Sequence, residues 1–205
     1  MSEALLAYLA VGAASGVLAG LLGVGGGLIM VPALLYIFRQ QGFDESLVLH
    51  LALGTSLTVI VFNALSSIRA HHKRGAVHWE LVRQLAPGIV IGTLLGAVVA
   101  EQMNTLWLQR LFGAFALLVG VQMLSAAKAA GRFDLPEMAG QTFAGGIIGL
   151  ISALVGIGGG SMTVPYLTAC RISIREAVAT SAACGLPIAL AGTVGYLWVG
   201  WSNKL

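Results

Sequence analysis

Charged residues divide this chain into long apolar runs. Ala4 to Phe38 and Met138 to Cys170 hold no Asp, Glu, Lys or Arg, and further uncharged stretches run from Ser46 to Ile68, Gln84 to Ala100, Leu111 to Ala127 and Ala177 to Trp201. About 20 consecutive apolar residues suffice to cross a bilayer as a helix. The pattern therefore predicts an all-α, polytopic membrane protein of about six transmembrane segments. A membrane barrel would show ten-residue stretches of alternating polarity, and none occurs.

The first run and its partner at Met138 are too long for single straight spans. Ala4 to Phe38 would extend about 52 Å as one helix against a hydrocarbon core of about 30 Å. Gly23 to Gly27 and Gly156 to Gly160 supply the breaks, because glycine weakens a helix by about 1 kcal/mol and tolerates positive φ. Pro32 and Pro165 follow inside the next half-helix, where each can bend it.

The two breaks belong to a tandem repeat. Gly23-Val24-Gly25-Gly26-Gly27-Leu28-Ile29-Met30-Val31-Pro32 aligns with Gly156-Ile157-Gly158-Gly159-Gly160-Ser161-Met162-Thr163-Val164-Pro165 at an offset of 133, which also pairs Gly12 and Gly16 with Gly145 and Gly149. Downstream, Gly54-Thr55-Ser56 pairs with Ala179-Thr180-Ser181 at an offset of 125. Residues 1–137 are read as a first repeat of four membrane segments, and 138–205 as a second of two, each opening on a glycine-broken segment. The second copy is expected to be incomplete, lacking counterparts of two helices between Leu81 and Ala127. A truncated product, a partial chain and a short form completed as a homo-oligomer all stay open.

Unwound backbone at membrane depth is tolerated only where protein or a water-filled cavity surrounds it, and matching breaks in two repeats point to a transporter's binding site. Half-helices starting near Leu28 and Ser161 would present backbone N–H groups and the positive end of a helix dipole, a setting that favours an anion. The expected substrate-binding group is Gly23, Gly25, Gly26, Gly27, Leu28, Gly156, Gly158, Gly159, Gly160, Ser161 and Thr163, with Thr55, Ser56, Asn63, Thr180 and Ser181 from neighbouring helices. Packing is the competing account, since Gly, Ser and Thr also let membrane helices approach closely.

Composition narrows the chemistry further. Hydrophobic residues make up 58% of the chain and charged residues 9%, against roughly 25% charge in soluble domains. No basic segment precedes the first apolar stretch, which is expected to stay in the mature protein rather than act as a signal peptide. The glycines lack the acidic residue about twenty positions on that a dinucleotide loop needs, and no HExxH, GxSxG or phosphate-loop motif is present. Neither enzyme, cofactor nor metal site is expected. Cys170 and Cys184 have neither CxxC spacing nor nearby His ligands and read as packing residues.

The net charge of +3 reports membrane orientation rather than nucleic-acid binding. If each glycine-broken stretch crosses once, Lys and Arg divide seven against four. If each enters, turns and returns, they divide eight against three, with only Arg39, Arg110 and Lys204 outside, and the repeats are inverted. The sharper division favours the hairpin. Both readings place Arg69-Ala70-His71-His72-Lys73-Arg74 in the cytoplasm as a topology-setting loop. His50, near the start of a membrane helix, is a coupling candidate because imidazole titrates near neutral pH, and an interfacial histidine is the alternative.

The paired GxGGG-x-x-x-V-P elements, each followed by a Thr-Ser helix, resemble the TauE/SafE family of sulfite-exporter-like permeases. The resemblance covers nearly the whole chain. It implies a multi-pass permease of the cell (inner) membrane, with the lipid bilayer and a small anion such as sulfite, a sulfonate or another organosulfur anion as its partners. Members usually have about eight membrane segments, two more than this chain supplies. An anion channel and a non-transporting membrane scaffold are the alternative expectations.

Overall fold

The computed structural model describes residues 8–17, 26–125 and 133–202. In chain order its helices are α1 (Tyr8–Val17), α2 (Gly27–Gln40), α3 (Val48–Lys73), α4 (Trp79–Gln102), α5 (Thr105–Ser125), α6 (Met138–Val155), α7 (Gly160–Ala169) and α8 (Ile174–Ser202). Helices α3, α4, α5, α6 and α8 are long and apolar enough to cross a membrane, and α1 and α2 are shorter apolar helices. The chain is thus all-helical and polytopic among its described residues. The run expected from Ala4 to Phe38 is represented by α1 and α2, on either side of residues that lie outside the description.

The second break has a well-defined cause. Gly156 takes φ +68° in the left-handed region, where residues with a Cβ are disfavoured. There the Ile157 N–H donates to the Ser152 carbonyl at 3.0 Å and the Gly156 N–H to the Ala153 carbonyl at 3.3 Å. This is a Schellman stop: it satisfies the last carbonyls of α6 and turns the chain. Helix α7 starts four residues later and carries Pro165 at its sixth position, as α2 carries Pro32.

Both broken segments fold back on themselves. At the open end of α6–α7, the Phe133 N–H donates to the Ala169 carbonyl (3.0 Å), Arg171 pairs with Asp134 (2.9 Å) and the Tyr166 hydroxyl donates to Gln141 Oε1 (2.9 Å). At the open end of α1–α2, the Tyr8 hydroxyl donates to Gln41 Oε1 (3.0 Å) and the Tyr8 and Phe38 rings stand 6.5 Å apart. Each pair of arms therefore begins and ends on one side.

The two hairpins open on opposite sides. Helix α3 leaves the side on which α1–α2 opens, α4 returns to it and α5 crosses again to the side on which α6–α7 opens. Arg69, Lys73, Arg74, Arg83, Arg171 and Arg175 collect on that second side, called the basic end below, against Arg39 and Arg110 at the opposite end. The antiparallel α3 and α8 run between the hairpins, and α4 lies parallel to α6.

Small residues permit the α4–α6 seam. A Cβ on Gly88 would collide with the Thr142 carbonyl oxygen, on Gly92 with that of Gly146, and on Gly149 with that of Ile89. Between membrane helices, where lipid gives no hydrophobic drive, close backbone approach of this kind supplies the packing energy. The seam holds the outer arm of the second hairpin in place, and thereby the break at its tip.

Candidate functional site

The start of α2 meets the tip of the α6–α7 hairpin. A Cβ on Gly27, the first residue of α2, would overlap the Gly156 carbonyl oxygen and lie 2.9 Å from Ile157 Cα. The Ser56 hydroxyl, wholly buried, donates to the same Gly156 carbonyl at 2.9 Å and ties the second tip to α3. Gly158 packs against Ile60, midway along α3. The second break and the start of α2 thus lie deep in the helical bundle, far from either end.

Next to them is a cavity of about 350 Å³. Gly26, Gly158 and Gly160 contribute from the tips, Ile60, Asn63, Ala64, Ser66, Ser67, Ala70 and His71 from α3, and Val178, Ser181, Ala182 and Gly185 from α8, with Gly16 from α1. It extends from the middle of α3 to that helix's last turn at His71, and so toward the basic end.

At the opposite end the same two helices are in contact. Gly54 lies against Tyr196, with 3.3 Å from a Cβ built on the glycine to the tyrosine Cβ, and Gly192 lies 2.7 Å by the same measure from Leu57 Cδ1. Tyr196 also donates its hydroxyl to the Ala153 carbonyl at 3.0 Å. Helices α3 and α8 therefore diverge toward the basic end and close at the other.

Among its described wall residues the cavity holds no Asp, Glu, Lys or Arg. Its polar groups are the Asn63 amide, the Ser66, Ser67 and Ser181 hydroxyls, the His71 imidazole and the backbone at the start of α7. The amino end of α7 brings the positive end of its dipole to the cavity wall at Gly160. One turn into α7 lies Thr163, fully buried, whose Oγ1 has no hydrogen-bond partner and stands 3.5 Å from the Cβ position of Gly159. Such a setting offers hydrogen bonds and a partial positive charge without a fixed counter-ion.

The sequence-predicted residues divide by location. Gly26, Gly158, Gly160, Asn63 and Ser181 line the cavity, while Gly27, Ser56, Gly156 and Gly159 build its tips. Ser161 is buried in the first turn of α7, and Leu28 packs against the apolar core beside α2. Gly23 and Gly25 lie outside the described residues. Thr55 is not a wall of this cavity; it faces a larger groove at the opposite end, between α3, α5 and α8. Thr180 is elsewhere too, its Oγ1 accepting a hydrogen bond from the His78 N–H at 3.1 Å and anchoring the α3–α4 turn.

His50 also stands apart, on the groove at the opposite end, where its Nε2–H donates to the Ala100 carbonyl at 2.9 Å. The other ring nitrogen, Nδ1, is buried without a partner. Ser66 and Ser67 line the cavity without having been singled out from sequence, and so does His71, read from sequence only as part of a topology-setting loop but placed here in the last turn of α3. A signal was available: Ile60, Asn63, Ser67 and His71 recur at intervals of three and four and so share one face of α3.

Fold and site together define a class, a multi-pass α-helical membrane protein with two broken-helix hairpins meeting at an internal cavity. The chain belongs to the family described as Sulfite exporter TauE/SafE, which matches residues 8–204. This is a family of membrane transporters, not of enzymes. A probable membrane transporter protein of Haemophilus influenzae is 36% identical over 202 residues, covering 98% of this chain and 76% of that one. One from Methanocaldococcus jannaschii is 30% identical, over 91% of this chain and 70% of its own length. The probable membrane transporter protein YunE of Bacillus subtilis is 29% identical, over 95% and 78%. No solved structure gives a significant match.

Proposed function

We propose that this chain is a secondary transporter of the cell (inner) membrane that moves a small anion by alternating access. Sulfite, a sulfonate or another organosulfur anion is the proposed substrate, and the cavity between the hairpin tips is its site. The two repeats, 1–137 and 138–205, are taken as inverted copies, with the basic end facing the cytoplasm by the positive-inside rule. The observation that carries the reading is the convergence of the start of α2, the α6–α7 tip and the α7 amino end on one hydroxyl-lined cavity whose described walls carry no Asp, Glu, Lys or Arg.

The chemistry fits an oxyanion. Sulfite and sulfonate oxygens accept hydrogen bonds, and donors directed at a charged acceptor contribute more than neutral pairs. The helix dipole adds about 0.3–1 kcal/mol and up to ~2 kcal/mol in partly buried geometry. A fixed Lys or Arg would hold the anion more tightly, whereas transport requires that it leave again. The supporting relatives carry the transporter name without a substrate, so the sulfur chemistry rests on the family description and on this donor set.

A channel would need a continuous path. Contact of α3 with α8 at Gly54–Tyr196 and Leu57–Gly192 favours the carrier instead. Flux of radiolabelled sulfite and methanesulfonate into proteoliposomes tests the proposal. Saturable, temperature-dependent uptake by the wild type, lost in Gly160→Leu protein that still elutes as a folded particle, is expected. Absence of uptake for both solutes, or discrete single-channel currents, would overturn it.

A further inference from the structure

We infer that His71 and Ser67, at the mouth of the cavity, form a second site for a small oxyanion, occupied when the His71 imidazole is protonated. The inference rests on the reading of the cavity as an anion's route and adds a station to it, between the α6–α7 tip and the basic end.

Asn63, Ser67 and His71 follow one another at every fourth position of α3, so they stand in a row on one face, about 6 Å apart along the axis. All three line the cavity. The row starts three residues beyond Ile60, which packs against Gly158, and ends in the last turn of α3. His71 is about 16 Å along the helix from Ile60, too far to touch an anion held at the tip. An anion that leaves the tip toward the basic end passes Ser67 and then His71.

These side chains stand out because they are not engaged. The other three of the chain's four histidines have partners: His50 donates to the Ala100 carbonyl, His72 Nδ1 accepts from Trp79 Nε1–H at 3.2 Å, and His78 Nε2 stands 3.1 Å from Glu176 Oε1. The His71 ring has no hydrogen-bond or ionic partner among the described residues. Hydroxyls divide the same way. Thr58 on α3 donates to the Gly54 carbonyl and Ser181 on α8 to the Val178 carbonyl, each at 2.9 Å, whereas Ser67 makes no bond to a described residue.

Charge at this end suits an anion. Arg69, Lys73 and Arg74 belong to α3 and its cap, with Arg83 on α4 and Arg175 on α8 at the same end. Among the acidic groups there, Glu176 is held by His78 and Ser173, and Asp134 by Arg171; Glu80 and Glu137 stand at the starts of α4 and α6. None of these lines the cavity. Across it α8 presents Val178, Ser181, Ala182 and Gly185, α7 Gly160 and α1 Gly16, so His71 is the one titratable group among the described walls.

A protonated imidazole is a cation with two N–H donors; the neutral ring has one donor and no charge. A charged donor holds an oxyanion roughly twice as strongly as a neutral one. The mouth therefore takes up the anion as pH falls through the imidazole range and releases it as pH rises. The tip offers only neutral donors, so the proton dependence belongs to the mouth.

Equilibrium binding of radiolabelled methanesulfonate, an anion at both pH values used, tests this on the full chain in phosphatidylcholine nanodiscs at pH 5.5 and pH 8. The wild type is expected to bind a second equivalent at pH 5.5, and to bind it about tenfold or more weakly at pH 8, where an ordinary imidazole is almost wholly neutral. His71→Gln should bind one equivalent at both pH values. His71→Lys, charged throughout, should bind two at both, a rescue that a merely structural role would not give. Ser67→Ala should weaken the pH 5.5 equivalent by about tenfold, the worth of one hydrogen bond to a charged group.

Wild-type binding that is the same at the two pH values, or a pH dependence that survives in His71→Gln, would overturn the mouth site and leave the tip site standing. Loss of the pH 5.5 equivalent when phosphatidylglycerol replaces phosphatidylcholine would assign the position to a lipid headgroup and overturn it too. Binding that depends on His71 and on pH but is unaffected by Asn63→Leu or Gly160→Leu would bear out the mouth and contradict the tip. No binding at either pH would overturn both.

Discussion

Gly27 and Gly156 touch through their backbones, so closely that the first cannot carry a side chain without displacing the carbonyl of the second. The contact joins the start of α2 to the end of α6, two elements from opposite halves of the chain. It explains why each hairpin needs glycine at its tip: the break ends one helix, and the lack of a Cβ lets the other tip approach. Gly27→Ala should therefore destabilise the protein by about 1–3 kcal/mol, the usual cost of forcing atoms into a filled interior. Thermal unfolding in detergent measures it, and an unchanged melting temperature would show that the tips separate in solution.

A different penalty applies to Gly156. Its φ of +68° disfavours any residue with a Cβ, and the new atom would sit 2.7 Å from Leu53 Cδ2 and 3.0 Å from Val31 Cγ2. Gly156→Ala is expected to cost more than Gly42→Ala, where φ is +79° but the space is open. The φ penalty alone is about 1 kcal/mol. Equal losses in a detergent melt would mean that crowding at the tip contributes nothing.

The α4–α6 seam gives a paired comparison within one fold. A Cβ on Gly92 meets backbone, whereas Gly113 and Gly120 on α5 have nothing within 4 Å. Gly92→Ala should lower the melting temperature and reduce the yield of monodisperse protein. Gly113→Ala should be neutral or stabilising, since alanine is better than glycine in a helix interior by about 1 kcal/mol. The same outcome in both variants would contradict the seam.

Much of this architecture was legible beforehand, and the exceptions share a cause. The half-helices begin at Gly27 and Gly160, each one residue before the starts read from the glycine clusters, because helix termination by glycine is a local property of the chain. Which member of each Thr-Ser pair faces the site was not legible. Neighbouring residues on a helix point about 100° apart, so Ser181 reaches the cavity while Thr180 accepts from the His78 N–H on another face. Gly145 and Gly149 were read only as repeat markers, yet they form the seam with α4. A glycine that breaks a helix and one that admits a neighbour look alike until the neighbour is known.

Orientation is open to direct chemical test. Arg74 caps the cavity end of α3, and Phe43 is exposed in the turn between α2 and α3 at the other end. In a background without Cys170 and Cys184, Arg74→Cys should react with a membrane-impermeant maleimide in inside-out vesicles and not in intact cells. Phe43→Cys should behave in the opposite way. Labelling of both from one side would contradict the crossing of α3, and exchange of the two patterns would contradict the cytoplasmic placement of the basic end.

The central claim is that an anion binds between the hairpin tips through neutral donors. Equilibrium binding of radiolabelled sulfite to purified protein, by scintillation proximity, tests it most directly with wild type and Asn63→Leu side by side. Asn63 is exposed to the cavity, so the substitution removes a donor without disturbing the packed seam. The account predicts saturable wild-type binding, displaced by methanesulfonate and not by uncharged dimethyl sulfone. It also predicts affinity weakened by about tenfold or more in Asn63→Leu at an unchanged melting temperature, the worth of one hydrogen bond to a charged group. Binding of equal strength in the two proteins, or displacement by the uncharged sulfone, would contradict it.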